Sequence, residues 1–194
     1  VESEYVISRQ GSLFVAKMAM GTGVVTGSMN IAIGCSAGIN LTSGVRNIFM
    51  GRLSGTGVVT GHYNIAMGES SYQAGTSGCN NVALGQGAMA TAAVTGLHNV
   101  AIGTSTMDAL TSCAYNIALG INALGASTIG LENIAIGSTA MGGVTTGQAD
   151  NNIAIGNAAL TGAAGTTGNA NIAIGQSTAD ALTTGACNIA MGLN

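Results

Sequence analysis

At 194 residues with 32 Gly, no Pro, no Trp, 3% aromatic and 6% charged residues, the chain departs from globular composition, in which about a quarter of residues are charged. So few aromatics exclude a wide core, a 47% apolar content excludes a disordered polar chain, and no apolar run approaches the ~18 residues of a membrane-spanning helix. The bases Arg9, Lys17, Arg46 and Arg52 all precede five acids, Glu69, Asp108, Glu132, Asp150 and Asp180, which leaves no basic footprint for nucleic acid or anionic lipid.

Residues 1–11 carry no repeat and are expected to form an N-terminal connector or degenerate cap. Val1-Glu2-Ser3-Glu4-Tyr5 is no signal peptide. The absence of an initiating Met points to a chain processed or cut from a longer one. Residues 12–194 are one repeat domain. Its first copy is Ser12-Leu13-Phe14-Val15-Ala16, and the pentad Asn-(Ile/Val)-(Ala/Phe)-(Ile/Leu/Met)-Gly then begins at Asn30, Asn47, Asn64, Asn81, Asn99, Asn116, Asn133, Asn152, Asn171 and Asn188. Self-similarity at a near-constant period of 17 to 19 residues is the signature of a solenoid.

Counting each Asn as position zero exposes further regularities. Position seven is always small, as in Ala37, Ser54, Thr106 and Ala140, and position eight is often long and apolar, as in Met89, Leu124 and Met141. A Gly stands at position minus three in eight of the ten Asn copies, commonly after Thr. Each unit therefore reads as a strand, a Gly turn, a second short apolar segment and a Thr-Gly turn. Alternation with period two and β-branched residues at positions one and three predict strand. A helix would carry about 1 kcal/mol of penalty for every interior Gly.

Stacked in register, the Ile ladders at positions one and three are expected to make the dry core, and the Asn ladder to exchange amide hydrogen bonds along the axis. Gly at position four and in the Thr-Gly turns is expected to supply positive φ at corners. Position two is Ala in nine of eleven copies. On this reading it faces away from the Ile ladders and forms an exposed apolar stripe, which marks an interaction surface. Three chains around an axis would cover it. The interface candidates are Phe14, Ala32, Phe49, Ala66, Ala83, Ala101, Ala118, Ala135, Ala154, Ala173 and Ala190, with Phe14 and Phe49 widening the N-terminal end of the packing.

Repeats such as Asn152 to Leu160 with Thr166-Thr167-Gly168, and Asn171 to Gly175 with Thr183-Thr184-Gly185, resemble the head repeats of trimeric autotransporter adhesins and the shaft repeats of phage tail fibres. The resemblance covers residues 12 to 194. It implies an all-β fold, a β-solenoid in the form of a left-handed parallel β-roll with about eleven 17-residue coils, in an intertwined homotrimer. It also implies an extracellular structural segment of a virion tail fibre or cell-surface appendage that supports attachment to a host cell or surface. The expected partners are the chain itself, flanking fibre or anchor domains, and a host-cell surface receptor or glycan, with no membrane insertion by this segment.

Surface-contact candidates are Arg46, Arg52, Tyr63, Tyr72, Tyr115 and Glu132, with the odd-length turns Gly142 to Asn151 and Thr161 to Ala170. No catalytic residue, cofactor or metal ligand is assigned. Cys35, Cys79, Cys113 and Cys187 fall at four different repeat positions and never at metal-ligand spacing. His62 and His98 lie in non-neighbouring copies. Asp108 and Asp180 share a Thr-x-Asp-Ala-Leu motif that reads as a solvated turn. The alternative to a fibre is a polysaccharide-degrading, tailspike-like enzyme, which requires carboxylates about 5 to 9 Å apart. The acids here are 18 to 39 residues apart in the chain. A further alternative, a surface-lattice or ice-binding solenoid, requires a flat two-column Thr array, and Thr-Thr occurs three times.

Overall fold

The computed structural model describes residues 6–9, 12–15, 26–143, 149–162 and 168–193. Twelve strands form one sheet in sequence order. Strand β1 (Val6–Arg9) pairs antiparallel with β2 (Ser12–Val15), placing one strand of the N-terminal segment along the edge of the first copy. From β2 onward every pairing is parallel, through β3 (Ile31–Ile33), β4 (Ile48–Met50), β5 (Ile65–Met67), β6 (Val82–Leu84), β7 (Val100–Ile102), β8 (Ile117–Leu119), β9 (Ile134–Ile136), β10 (Ile153–Ile155), β11 (Ile172–Ile174) and β12 (Ile189–Met191). Each strand lies over its equivalent one coil away, and Leu13-Phe14-Val15 falls in register with Ile31-Ala32-Ile33 as the repeat alignment requires. The chain is a β-solenoid.

Among the described residues of the Asn copies, only positions one to three are strand. The second apolar segment is not extended, because positions six and eight lie in the left-handed region: Leu53 and Ser70 at position six, and Tyr72, Met89, Met107 and Leu124 at position eight, have φ between 49 and 59°. Position minus one is left-handed in every Asn copy, from Met29 to Cys187. These three corners close the coil. A left-handed conformation costs an L-residue roughly 1–2 kcal/mol, and it persists here because the flanking amides are bonded from coil to coil. Arg46 N–H donates to Ser28 O at 3.0 Å, Leu53 N–H to Cys35 O at 2.9 Å, and Tyr72 N–H to Ala88 O at 2.7 Å.

Glycines serve two separate ends. Position four is at positive φ as expected, 128 to 138° from Gly34 to Gly192. The Gly of the Thr-Gly turn is not. At position minus three a side chain would point into the next coil: a Cβ on Gly61 would stand 2.5 Å from Gly78 O, and one on Gly78 2.7 Å from Gly96 O. Close approach rather than backbone sign selects Gly there.

The expected inside and outside of the strand are reversed. Ala32, Phe49, Ala66, Ala83, Ala101, Ala118, Ala135, Ala154 and Ala173 are buried within their own coils, and Ala190 is partly buried in the last one. Phe14 takes the same register position, and its side chain lies outside the described residues. The Ile ladders face out. A coil of about 17 residues closes on so thin an interior that position two meets the opposite wall. That wall is Ala37, Ala88 or Ala123 at position seven, Met89, Met107, Leu124, Met141 or Leu160 at position eight, and Leu41, Val58 or Leu110 at position eleven. Ala at position two therefore fits the chain's own far wall, and these residues are not a surface offered to another chain.

Phe49 is the exception that shows the volume constraint. Where it replaces Ala, both flanking position-eight residues are Gly: a Cβ on Gly38 would lie 3.0 Å from Phe49 Cδ2, and one on Gly55 2.5 Å from Phe49 Cε1. The large residue has moved from one wall to the other, and the coil does not widen.

Candidate functional site

Asn at position zero points inward and is buried in each copy from Asn30 to Asn171. The side-chain Oδ1 of Asn47 accepts from the backbone N–H of Asn64 at 2.9 Å and from its Nδ2 at 3.1 Å, while Nδ2 of Asn47 donates to Gly61 O at 2.8 Å. The same set recurs at Asn99, which donates to Cys113 O at 2.8 Å and accepts from Asn116. The expected Asn ladder is thus present, and it also ties each strand to the turn preceding the next one. From Asn30 to Asn171 this ladder is structural, because its side chains are shut off from solvent.

What does reach solvent is the Ile ribbon. Position one carries Ile31, Ile48, Ile65, Val82, Val100, Ile117, Ile134, Ile153, Ile172 and Ile189, and position three Ile33, Met50, Met67, Leu84, Ile102, Leu119, Ile136, Ile155, Ile174 and Met191. All are half-buried or exposed. Met67 is 40%, Ile117 39% and Ile155 37% exposed. Ten rungs about 4.8 Å apart, each two side chains wide, make a strip on the order of 45 Å long and 400 Å² in area. No charged residue interrupts it, and repetition rather than any single residue makes it continuous.

Two polar ladders flank the ribbon. At position minus one stand Met29, Arg46, Tyr63, Asn80, His98, Tyr115, Glu132 and Asn151, all exposed. Four of the six expected surface residues therefore share one corner. Arg46 Nη1 donates to Tyr63 Oη at 2.6 Å with its guanidinium 5.3 Å from the ring centroid. His98 stacks on Tyr115 at 5.1 Å and 8°. At position five Arg52 pairs with Glu69 at 2.7 Å, both well exposed. The sixth candidate is corrected: Tyr72 is buried at position eight, where its hydroxyl accepts from Asn81 Nδ2 at 3.0 Å and burial pushes its pKa up. Of the two odd-length turns, residues 144–148 and 163–167 lie outside the described residues.

The chemically reactive side chains are dispersed. The four cysteines are free, Cys35 and Cys187 exposed and Cys113 buried, and burial pushes the Cys113 thiol up to about 11. His62 Nδ1 accepts the Val45 N–H at 3.0 Å, an inter-coil bond that assigns it a structural part. The acids occupy separate ladders: Glu69 at position five, Glu132 at minus one, Asp150 at minus two, Asp108 and Asp180 at nine. Among the described residues no three His, Cys, Asp or Glu side chains gather into a metal-holding group. Asp108 departs from the solvated turn expected of it, since its Oδ1 is shielded from solvent and has no hydrogen-bond partner.

Comparison of the chain with protein-family models, with curated proteins and with solved structures found no significant match. The class defined by the fold is the parallel β-solenoid, and its most distinctive surface is the Ile ribbon.

Proposed function

We propose that the chain is a segment of a trimeric extracellular fibre, a stiff shaft or adhesin module of a virion tail fibre or cell-surface appendage that supports attachment. The observation that carries this reading is the continuous Ile ribbon, left half-exposed by a coil whose own interior is already filled. An apolar strip of this size on one chain marks an interaction surface. Because the strip is only two side chains wide, face-to-face pairing of two copies leaves both columns at an open rim. Three copies around an axis enclose six columns. The interface of the proposed trimer is thus formed by positions one and three in place of the Ala stripe. The repeats' resemblance to trimeric adhesin and tail-fibre repeats points the same way.

Mechanically, each coil bonds to the next through its strand, its corners and its Asn, so bending strains every ladder at once. A fibre built this way holds whatever it carries at a fixed distance from its anchor. The exposed ladders at positions minus one and five vary from copy to copy and provide the contact surface for a receptor or glycan.

The test is mass in solution. Sedimentation equilibrium is expected to give about three times the 18.8 kDa chain mass. Ile117→Asp with Ile136→Asp should dissociate the assembly while the β circular-dichroism signal persists, because neither side chain lies in the coil interior. A monomeric or dimeric wild-type chain would overturn the reading.

A further inference from the structure

The two ladders that flank the Ile ribbon match each other row by row. A row is the position minus one and the position five of one copy, which stand at the same height on opposite sides of the ribbon. Six residues separate them, on the order of 15–20 Å, too far to touch within one chain. Yet from the copy of Asn64 to that of Asn152 polar stands with polar and apolar with apolar. Tyr63 shares its row with Glu69, Asn80 with Gln86, and Asn151 with Asn157, whereas Tyr115, 58% exposed, shares its row with Ile121, 54% exposed.

Around Ile121 the match extends to shape. Position minus two is Leu97, Ala114 and Leu131 in three consecutive copies. Bonds from Tyr115 N–H to Leu97 O and from Glu132 N–H to Ala114 O, both 3.1 Å, fix these residues as successive rungs. Leu97 and Leu131 are each 39% exposed, and Ala114 between them is half-buried. The flank therefore carries a notch with Leu walls two rungs apart, roughly 10 Å, centred on the row of Ile121. On the opposite flank Ile121 is the only β-branched aliphatic residue at position five, a knob at the height of the notch.

Charge supplies a second match. Arg46 and Arg52 share a row, but each leans one rung along. Arg46 Nη1 donates to Tyr63 Oη at 2.6 Å, and Arg52 Nη1 pairs with Glu69 at 2.7 Å. The row of Tyr63 thus presents the Arg46 guanidinium on one flank and the Glu69 carboxylate on the other. If position minus one met position minus one between two parallel rods, Arg46 would face Arg46 and Glu132 would face Glu132, and like charges oppose such a contact.

We infer that in the trimer proposed above, on which this inference rests, the position-five ladder of each copy docks against the position-minus-one ladder of the next copy in the same row, with Ile121 seated between the neighbouring copy's Leu97 and Leu131. Each copy uses two different flanks, so the contact is heterologous and a three-fold rotation closes it into a ring. Rotation about an axis parallel to the rods keeps every row at its own height, which is why matching lies within rows. The contact covers the ribbon-facing side of the two ladders and leaves their outer side to a receptor.

Disulfide trapping tests the docking. In the full chain carrying Cys35→Ser, Cys79→Ser and Cys187→Ser, the pair Tyr115→Cys with Ile121→Cys is oxidised with copper phenanthroline and resolved on a denaturing gel without reductant. The two positions cannot bridge within one chain, so the expected products are covalent dimer and then trimer. Tyr115→Cys with Ser138→Cys, one row off, should link roughly tenfold more slowly, because a disulfide requires Cα atoms within about 7 Å. Tyr115→Cys alone should remain monomeric on the gel. Asn80→Cys with Gln86→Cys, both exposed, is a second same-row pair with the same expected products, and it decides the matter if the first pair loses its β circular-dichroism signal. Linkage by Tyr115→Cys alone, equal rates for the same-row and offset pairs, or no linkage in a chain that sediments as a trimer overturns the docking while leaving the trimer standing. A chain that sediments as a monomer or dimer overturns the trimer and the docking with it.

Discussion

Gly55 stands so close to Phe49 that a Cβ on it would meet the ring at 2.5 Å from Cε1. In the copies from Asn81 to Asn152 position eight holds Met or Leu against Ala, so the pair is an exchange of volume across the same interior. Phe49→Ala alone should cost about 3–5 kcal/mol through the cavity it leaves, and Gly55→Leu alone about 1–3 kcal/mol through overpacking. The double variant restores the arrangement of the regular coils and should recover most of the loss. Position eight tolerates an L-residue, since Leu124 and Leu160 hold φ of 49 and 47° there. Urea unfolding midpoints at one fixed protein concentration measure all three.

The buried Asn ladder makes a graded prediction. Asn99→Ala removes the acceptor of the Asn116 N–H and the donor to Cys113 O, leaving several buried groups unpaired at about 1–3 kcal/mol each. Asn188 ends the described ladder, donating to Asn171 at 3.0 Å from both N–H and Nδ2. Asn188→Ala should therefore destabilise much less than Asn99→Ala, and equal losses in chemical unfolding would refute the ladder as a stabilising element.

Thiol reactivity should follow burial. Cys35 and Cys187 are expected to react readily with a chromogenic disulfide reagent at pH 8, and Cys113 only on unfolding. The Cys113 thiol has a folded value of about 11 against 9.0 for the free group, with burial the main cause. The folded state thus holds the proton that the unfolded state releases, and stability from this group is complete below pH 9 and lost as pH rises through about 11. Cys113→Ser, monitored by unfolding midpoint, should flatten the part of that alkaline slope due to the thiol.

The left-handed corners should respond to Gly. Ala170 is exposed, with φ of 56° at position minus one, and Ala170→Gly relieves a conformation that costs an L-residue about 1–2 kcal/mol. Part of that gain is offset by the larger unfolded-state entropy of Gly, so a net stabilisation of about 0.5 kcal/mol is expected in the same urea assay. Arg52→Ala should change stability by less than about 1 kcal/mol, because the Arg52–Glu69 pair is exposed.

Much of the solenoid was legible in the residues. The Asn spacing set the coil length and aligned every strand with its neighbour, even Leu13-Phe14-Val15, which has no Asn. The polar ladder and the positive φ of the position-four Gly also followed from the repeat. The left-handed corners at Tyr63, Tyr115 and Glu132 did not, because those side chains carry no propensity for positive φ and are held there by coil-to-coil bonds. Asp108 was likewise obscure. The burial of its Oδ1 is set by how the coils pack, which no residue of its own repeat announces.

The sequence by itself determined that positions one and three share a face and that position two takes the other, since a strand alternates with period two. Only the tertiary structure decided which face is inside. That choice depends on how sharply the corners at positions four to eight return the chain across its own strand, and on the width left between the walls. The return is tight enough that Ala66 and Ala118 fill the gap while Ile65 and Ile117 are turned outward. The smallness of position two recorded a close neighbour, and that neighbour is the same coil.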